Sequence, residues 1–359
     1  MKILIVMCLL FSSLSWANTD AKTKSDLTER GIRLVSQAQY PQAIEILKIE
    51  SAKGDADAAF WLGIAYYKKG IALYKERERL NGGYGDNVFL QAAGDAFLLA
   101  AELGDPWAMS ILSNKVIYYS STVCSLFSWP CDNKWVDKAL DRWDELAEQG
   151  DPDAVYVSTV FGFKWWEYFR SYTYPYLAAL IERTISTGGG YGFMAGIALE
   201  LEDSFKFFTM AANQGYAPAM LKLNIFRGKL LTDEEADKWV HRALNLGYIG
   251  AARTLYFKYS PNGKGRGKTK LEREKAYYYG TIYIESGGWK RIDSDILRSK
   301  LTDENGKRLY DEAGNQLYEE HFTEAERIEI EQRAKDFLKK VKPDAFLTKN
   351  TRELLKIYN

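Results

Sequence analysis

Apolar and polar positions along this chain alternate in a helical rhythm broken at recurring glycines. Between Ala139 and Gly150, the residues Leu140, Trp143, Leu146 and Ala147 fall on one face of a helix. Gly150 then stops that helix, because glycine accepts the left-handed backbone that a helix C-terminus often needs. Asp151-Pro152 opens the next one, with aspartate at the N-cap and proline at the first helical position. Helix, sharp stop and second helix together predict a helical hairpin over residues 139–163.

The same register returns. Taking each glycine as zero, a small residue stands eleven positions before it, another stands four after, and an apolar residue usually stands eight after. Gly54 carries Ala43, Ala58 and Leu62; Gly104 carries Ala93, Ala108 and Leu112; Gly150 carries Ala139, Ala154 and Ser158. Gly215 carries Ser204, Ala219 and Leu223, and Gly247 carries Ala236, Ala251 and Leu255. Small residues at plus four let two helices approach closely, and a larger side chain there overpacks at about 1–3 kcal/mol. The expected fold class is all-α, an α-solenoid of stacked antiparallel hairpins.

These segments resemble a known family. AAELGDPWAMSIL, LAEQGDPDAVYVS and AANQGYAPAMLKLNIFRG look like Sel-1-like repeats, which are related to tetratricopeptide repeats. The fullest match is SAKGDADAAFWLGIAYYKKG, which keeps Leu62-Gly63, Tyr66 and the closing Gly70; later copies lose the Leu-Gly pair. The resemblance covers about residues 40–290 and implies an interaction scaffold that binds another protein.

Elsewhere the pattern is less regular. Residues 18–30 read as a loose lead-in, with the first clear helix starting at Pro41 and carrying Ala43, Ile44, Leu47 and Ile49. The glycines stand 50, 46, 65 and 32 residues apart, so insertions are expected to leave the stack. One is marked by Asn81 to Gly85, a second by CSLFSWPC, and a third by Phe161 to Tyr176. Gly188 to Gly192 reads as a broken further repeat, and Lys275 to Tyr279 as the start of a final partial one. Thr232 to Glu235 is a capping box. Beyond residue 290 charged residues dominate. DENGKRLY (303–310) is nearly repeated by DEAGNQLY (311–318), which suggests a small hairpin. Thr323 to Glu326 is a second capping box and opens a helix to about Lys340. The expected organisation is a signal peptide over 1–17, a repeat solenoid over 18–290, and a charged C-terminal cap over 291–359.

Composition changes the picture in one respect. With 48 basic and 48 acidic residues the net charge is zero, which argues against the bulk attraction that a nucleic-acid binder uses. Lys2, the apolar run Ile3 to Leu14 and Ser15-Trp16-Ala17 read as a secretory leader, too short for a stable membrane anchor. A periplasmic location is therefore expected. Cys124 and Cys131 then read as a disulfide, since an exported pair this close favours one.

Candidate chemistry is sparse. His241 reads as packed or surface, and His321 as exposed. Neither sits in a Ser-His-Asp or metal-ligand pattern, so the chain is read as non-enzymatic, with no cofactor and no metal. NGKGRGKT (262–269) lacks the first glycine of a phosphate-binding loop. The strongest binding candidate is the aromatic insertion: Trp165, Trp166, Tyr168, Phe169, Arg170, Tyr172 and Tyr174 combine the residue types that anchor protein interfaces. The same rings would equally close the core of an elongated hairpin. Three roles stay open: an envelope scaffold or adaptor; an immunity protein neutralising a toxic, phospholipase-like effector of type VI secretion, as some members of the resembled family do; and an enzyme or small-ligand binder.

Overall fold

The computed structural model describes residues 25–78, 87–113, 122–161, 170–189, 200–261, 269–288, 291–349 and 354–355. It is an all-α solenoid. Helices α1 (Asp26–Ser36), α2 (Tyr40–Ala52), α3 (Ala56–Glu78), α4 (Val88–Glu102) and α5 (Pro106–Leu112) pack in order. After a short α6 (Thr122–Phe127), the stack continues through α7 (Lys134–Glu148), α8 (Pro152–Phe161), α9 (Arg170–Ser186), α10 (Leu201–Asn213) and α11 (Ala217–Lys222). It ends with α12 (Asp233–Asn245), α13 (Gly250–Tyr259), α14 (Lys270–Glu285) and, beyond a short α15 (Ser294–Leu297), α16 (Glu324–Lys340).

One closing device recurs. At Gly54 the backbone is left-handed, its N–H bonds the carbonyl of Ser51, and the N–H of Asp55 reaches back to Glu50. This paired bonding satisfies carbonyls that the helix end leaves orphaned. The same pair of bonds ends α4, α7, α10 and α12 at Gly104, Gly150, Gly215 and Gly247. It also ends α9 at Gly188 and α14 at Gly287, and even α1 at Ala38, a non-glycine with φ of 56°. Directly after three of these stops, Asp55, Asp105 and Asp151 accept the N–H of Ala58, Ala108 and Ala154 respectively. The alanine four residues after the glycine is thus also the donor that the cap needs.

The small register positions are where the helices meet. Ala43, Ala58, Ala93, Ala108, Ala139, Ala154, Ala219, Ala236 and Ala251 are all fully buried. Ser158 and Ser204, the polar members of the register, are only half-buried, and the Ser158 hydroxyl donates to Asp144.

Four local expectations need correction. Residues 26–36 are a helix rather than a loose lead-in, because Ser25 caps it and its face finds partners. Thr28 donates to Asp55 at 2.8 Å, and Gly31 leaves no room for a Cβ against Leu47. Ile49 points to solvent, while Ala43 and Leu47 carry the buried face of α2. The third insertion becomes helical from Arg170 onward, so α9 is a member of the stack between α8 and α10. The cysteine loop does not leave the stack: it is bridged by the Cys124–Cys131 disulfide, and its Trp129 is buried. That indole donates to the Leu90 carbonyl at 2.8 Å, packs on Phe97 and Tyr67, and occupies space that Gly94 vacates. Residues 81–85 and 190–199 lie outside the described residues.

At the far end α16 packs on α14, with Lys270 paired to Glu326 and Arg333 to Glu274. Strand β1 (Arg298–Lys300) pairs antiparallel with β2 (Tyr318–Glu320). Between them DENGK and DEAGN form two matching turns: Asp303 accepts the N–H of Asn305 and Lys307, and Asp311 that of Ala313 and Asn315. Leu301, Leu309 and Leu317, eight residues apart, close a ring of backbone bonds, so the duplication makes two linked turns rather than one hairpin. The chain then turns back from α16 across the hairpin turns and returns to the first helices.

Candidate functional site

The returning segment, residues 341–349 and 354–355, builds the site. It leaves α16 at Val341, and Asp344 donates its N–H to the Gly247 carbonyl at 2.9 Å. Ala345 then donates to the Ser36 carbonyl at 2.9 Å, and Leu347 donates to the Ser36 hydroxyl at 3.3 Å. Two hairpin turns far apart in the sequence are thus joined by one stretch of chain. Phe346, left-handed at φ 50°, sets its ring edge-on to Tyr248 with centroids 6.2 Å apart.

Lys349 is the specific contact. Its Nζ lies 2.6 Å from Asp57 and pairs also with Asp105, and it sits 4.8 Å above the ring of Phe60. The side chains are only 17% exposed for Lys349 and 4% for Asp105. Burial works against the ammonium, but Asp105 and then Asp57 outweigh it and hold Lys349 above the ordinary lysine range. Burial pushes the Asp105 carboxyl up, against the pull of Lys349 and of the Ala108 N–H. An ammonium within bonding distance of two carboxylates and over a ring face favours the charged form of Lys349. Asp105 thus does two jobs: one oxygen caps α5 and the other holds Lys349. Further on, Leu354 and Leu355 are buried, and Tyr67 donates to the Leu355 carbonyl at 2.9 Å.

Beside this segment lies a cavity of about 480 Å³. Leu347, Thr348 and Lys349 form one wall; Trp61, Trp107 and Trp143 supply aromatic surface, and Asp151 and Asp153 add negative charge. Trp107 and Trp143 meet edge to face at 5.5 Å. The acidic residues are here because the turns after Gly54, Gly104 and Gly150 place carboxylates at helix N-termini, where the helix dipole favours them.

Of the candidates read from the sequence, Trp165, Trp166, Tyr168 and Phe169 lie outside the described residues. Arg170, Tyr172 and Tyr174 fall in the first turns of α9, and their side chains are likewise outside what is described. His241 is packed, bonded to the Asp237 carbonyl and to the Tyr279 hydroxyl at 3.0 Å. His321, expected to be exposed, is half-buried against Arg273, because the strand pair and α14 close over it. Residues 262–268 lie outside the described residues, and Thr269 caps α14 in a capping box with Glu272. Among the described residues no group of three or more His, Cys, Asp or Glu converges to hold a metal, and no helix is long and apolar enough to cross a membrane. Sequence reasoning missed Lys349, Asp57 and Asp105; the only signal available was the Gly-Asp pair that opens α5.

No protein-family model matches the chain. No curated protein matches it. Among solved structures it is similar to a Sel1 repeat protein from Oxalobacter formigenes, at 19% identity over 72% of this chain and 99% of that one, with a TM-score of 0.37. It is also similar to c5321, described as a protective antigen of uropathogenic Escherichia coli with an SLR fold. That match has 18% identity, covers 89% of this chain and 62% of that one, and has a TM-score of 0.27. The fold stands on this chain's own hairpins and their shared register.

Proposed function

We propose that this Sel-1-like α-solenoid is an exported, non-enzymatic scaffold that binds another protein of the bacterial envelope. The observation that carries the reading is the groove along the hairpin turns, where acidic and aromatic side chains already seat the returning segment 341–349. The Gly247 and Ser36 carbonyls and the Ser36 hydroxyl give such a groove acceptors for a bound backbone, and the cavity beside it gives selectivity. The Cys124–Cys131 disulfide supports an oxidising compartment, where such bonds persist.

The aromatic stretch at 165–174 supplies a second part of the contact, since Trp, Tyr and Arg anchor interfaces. The test is affinity capture from a periplasmic fraction with the mature protein as bait, followed by mass spectrometry. An envelope protein enriched over a scrambled-surface control supports the reading, and the Trp165→Ala, Trp166→Ala double variant should weaken its capture without changing the thermal melt. Absence of any enriched protein would count against a scaffold.

A further inference from the structure

The two histidines of the chain sit in opposite situations. His241 has an oxygen at each ring nitrogen, the Asp237 carbonyl at Nδ1 and the Tyr279 hydroxyl at Nε2, and both oxygens can accept from a doubly protonated ring. His321 faces a donor instead. The Arg273 guanidinium lies 3.2 Å from its Nδ1, and a guanidinium has no lone pair to offer. That Nδ1 is therefore the accepting nitrogen of a neutral imidazole, and the ring proton sits on Nε2. Nε2 is buried, with no hydrogen-bond partner among the described residues.

His321 also stands at a junction. Its N–H donates to the Leu297 carbonyl at 2.8 Å, beside the strand pair. The next residue, Phe322, is buried and stacks on Tyr277 of α14 with centroids 5.9 Å apart. Phe322, Tyr277, Ile296 and Ile330 belong to a small apolar cluster, separate from the main core, that joins the C-terminal cap to the stack. The charged groups around His321 are Arg273 on α14, Glu319 and Glu320 on β2, and Arg327 on α16, which pairs with Glu320. Burial, then the Arg273 charge, hold the imidazole below the ordinary histidine range, and the two glutamates only partly oppose them.

We propose that His321 and Arg273 form a pH-sensitive latch between the strand pair and α14, closed while the neutral imidazole accepts from the guanidinium and released when a second ring proton sets two cations face to face. The latch acts on the C-terminal cap and stands apart from the partner-binding reading above. A histidine held low in the closed form binds its proton more tightly in the open form. The closed form is therefore fully favoured above the ordinary histidine value of 6.5 and loses ground as the pH falls below it. Each pH unit below that value shifts the opening equilibrium by about tenfold at most, until the closed form itself takes up the proton.

The test is hydrogen exchange of the full chain at about pH 7.5 and about pH 5.5, read as protection factors so that the intrinsic pH dependence of amide exchange cancels. The His321 amide and those of the strand pair should lose protection several-fold at the lower pH, by about tenfold at most. His321→Gln keeps an acceptor for Arg273 without a titrating proton, so its cap should be equally protected at both values. His241→Gln should show the same drop as the wild type. Unchanged protection in the wild type overturns the latch, as does an undiminished drop in His321→Gln. Loss of the drop in His241→Gln would move the response to that histidine and overturns it too. Should His321→Gln not fold, NMR titration of the His321 imidazole in the wild type decides. A midpoint below 6.5 supports the latch, and one at or above 6.5 overturns it.

Discussion

At the scale of single residues, glycines that look equivalent in the sequence are not equivalent in cost. Gly150 and Gly247 both close a helix with φ near +90°. A Cβ at Gly150 would meet nothing within 4 Å, so substitution there strains only the backbone, by about 1–2 kcal/mol. A Cβ at Gly247 would lie 2.3 Å from the Lys342 carbonyl oxygen, where the returning segment crosses the turn. Gly150→Ala should therefore lower stability by roughly 1–2 kcal/mol, and Gly247→Ala should cost more and also loosen residues 342–349. Urea melts of the two variants, with limited proteolysis as a probe of the segment, separate the outcomes. Equal costs would mean that the segment yields freely. The helix-closing role of both glycines was legible from their spacing alone. The second role of Gly247 was not, because its partner lies far away in sequence in a stretch with no hydrophobic period. Lys349 and Asp105 illustrate the same limit: their pairing spans 244 positions and follows from the path of the whole chain.

At the scale of elements, the register made the hairpins readable, and the misreadings occurred where an element is defined by what it packs against. The cysteine loop has no helical spacing, so it looked like an excursion. Its burial depends on Gly94 and on the Leu90 carbonyl, which belong to another helix. Trp129→Ala should remove both the ring packing and that bond at about 3–5 kcal/mol. Opening the disulfide in a Cys124→Ser, Cys131→Ser variant should cost about 2.5 kcal/mol in the chain-entropy account, so the tryptophan is the larger contributor. Chemical denaturation of both variants ranks them, and a larger loss from the disulfide would mean that the loop organises the ring instead of merely tethering it. The junction of α14 and α16 gives a pH prediction. Lys270, then the capping N–H of Thr323, hold Glu326 down to about 2. A depressed carboxylate contributes stability that is present above its unfolded value near 4.5 and lost as the pH falls toward 2. Glu326→Gln should flatten that acid-side loss, as followed by circular dichroism between pH 5 and 2.

At the scale of the whole molecule, a solenoid is held by nearest-neighbour contacts, so its two ends have no reason to feel one another. This chain departs from that rule, because segment 341–349 bonds to Gly247 late in the stack and to Ser36 at its start, and ends in the carboxylate clamp of Asp57 and Asp105. The strap therefore couples stretches that would otherwise unfold separately. Removing its cation leaves Asp105 buried without its counter-charge, which costs about 3–5 kcal/mol unless the strap peels away and lets water in. Peeling is the easier course for residues 341–349, where Lys342 and Ala345 are exposed and the rest half-buried, while Leu354 and Leu355 stay buried. Lys349→Met should accordingly convert one cooperative urea transition into two, with the early helices α1 to α5 melting apart from α10 to α14. The radius of gyration measured by small-angle scattering should rise before either transition. A single transition at an unchanged radius would mean that the hairpin stack holds its own curvature and that the strap only occupies the groove.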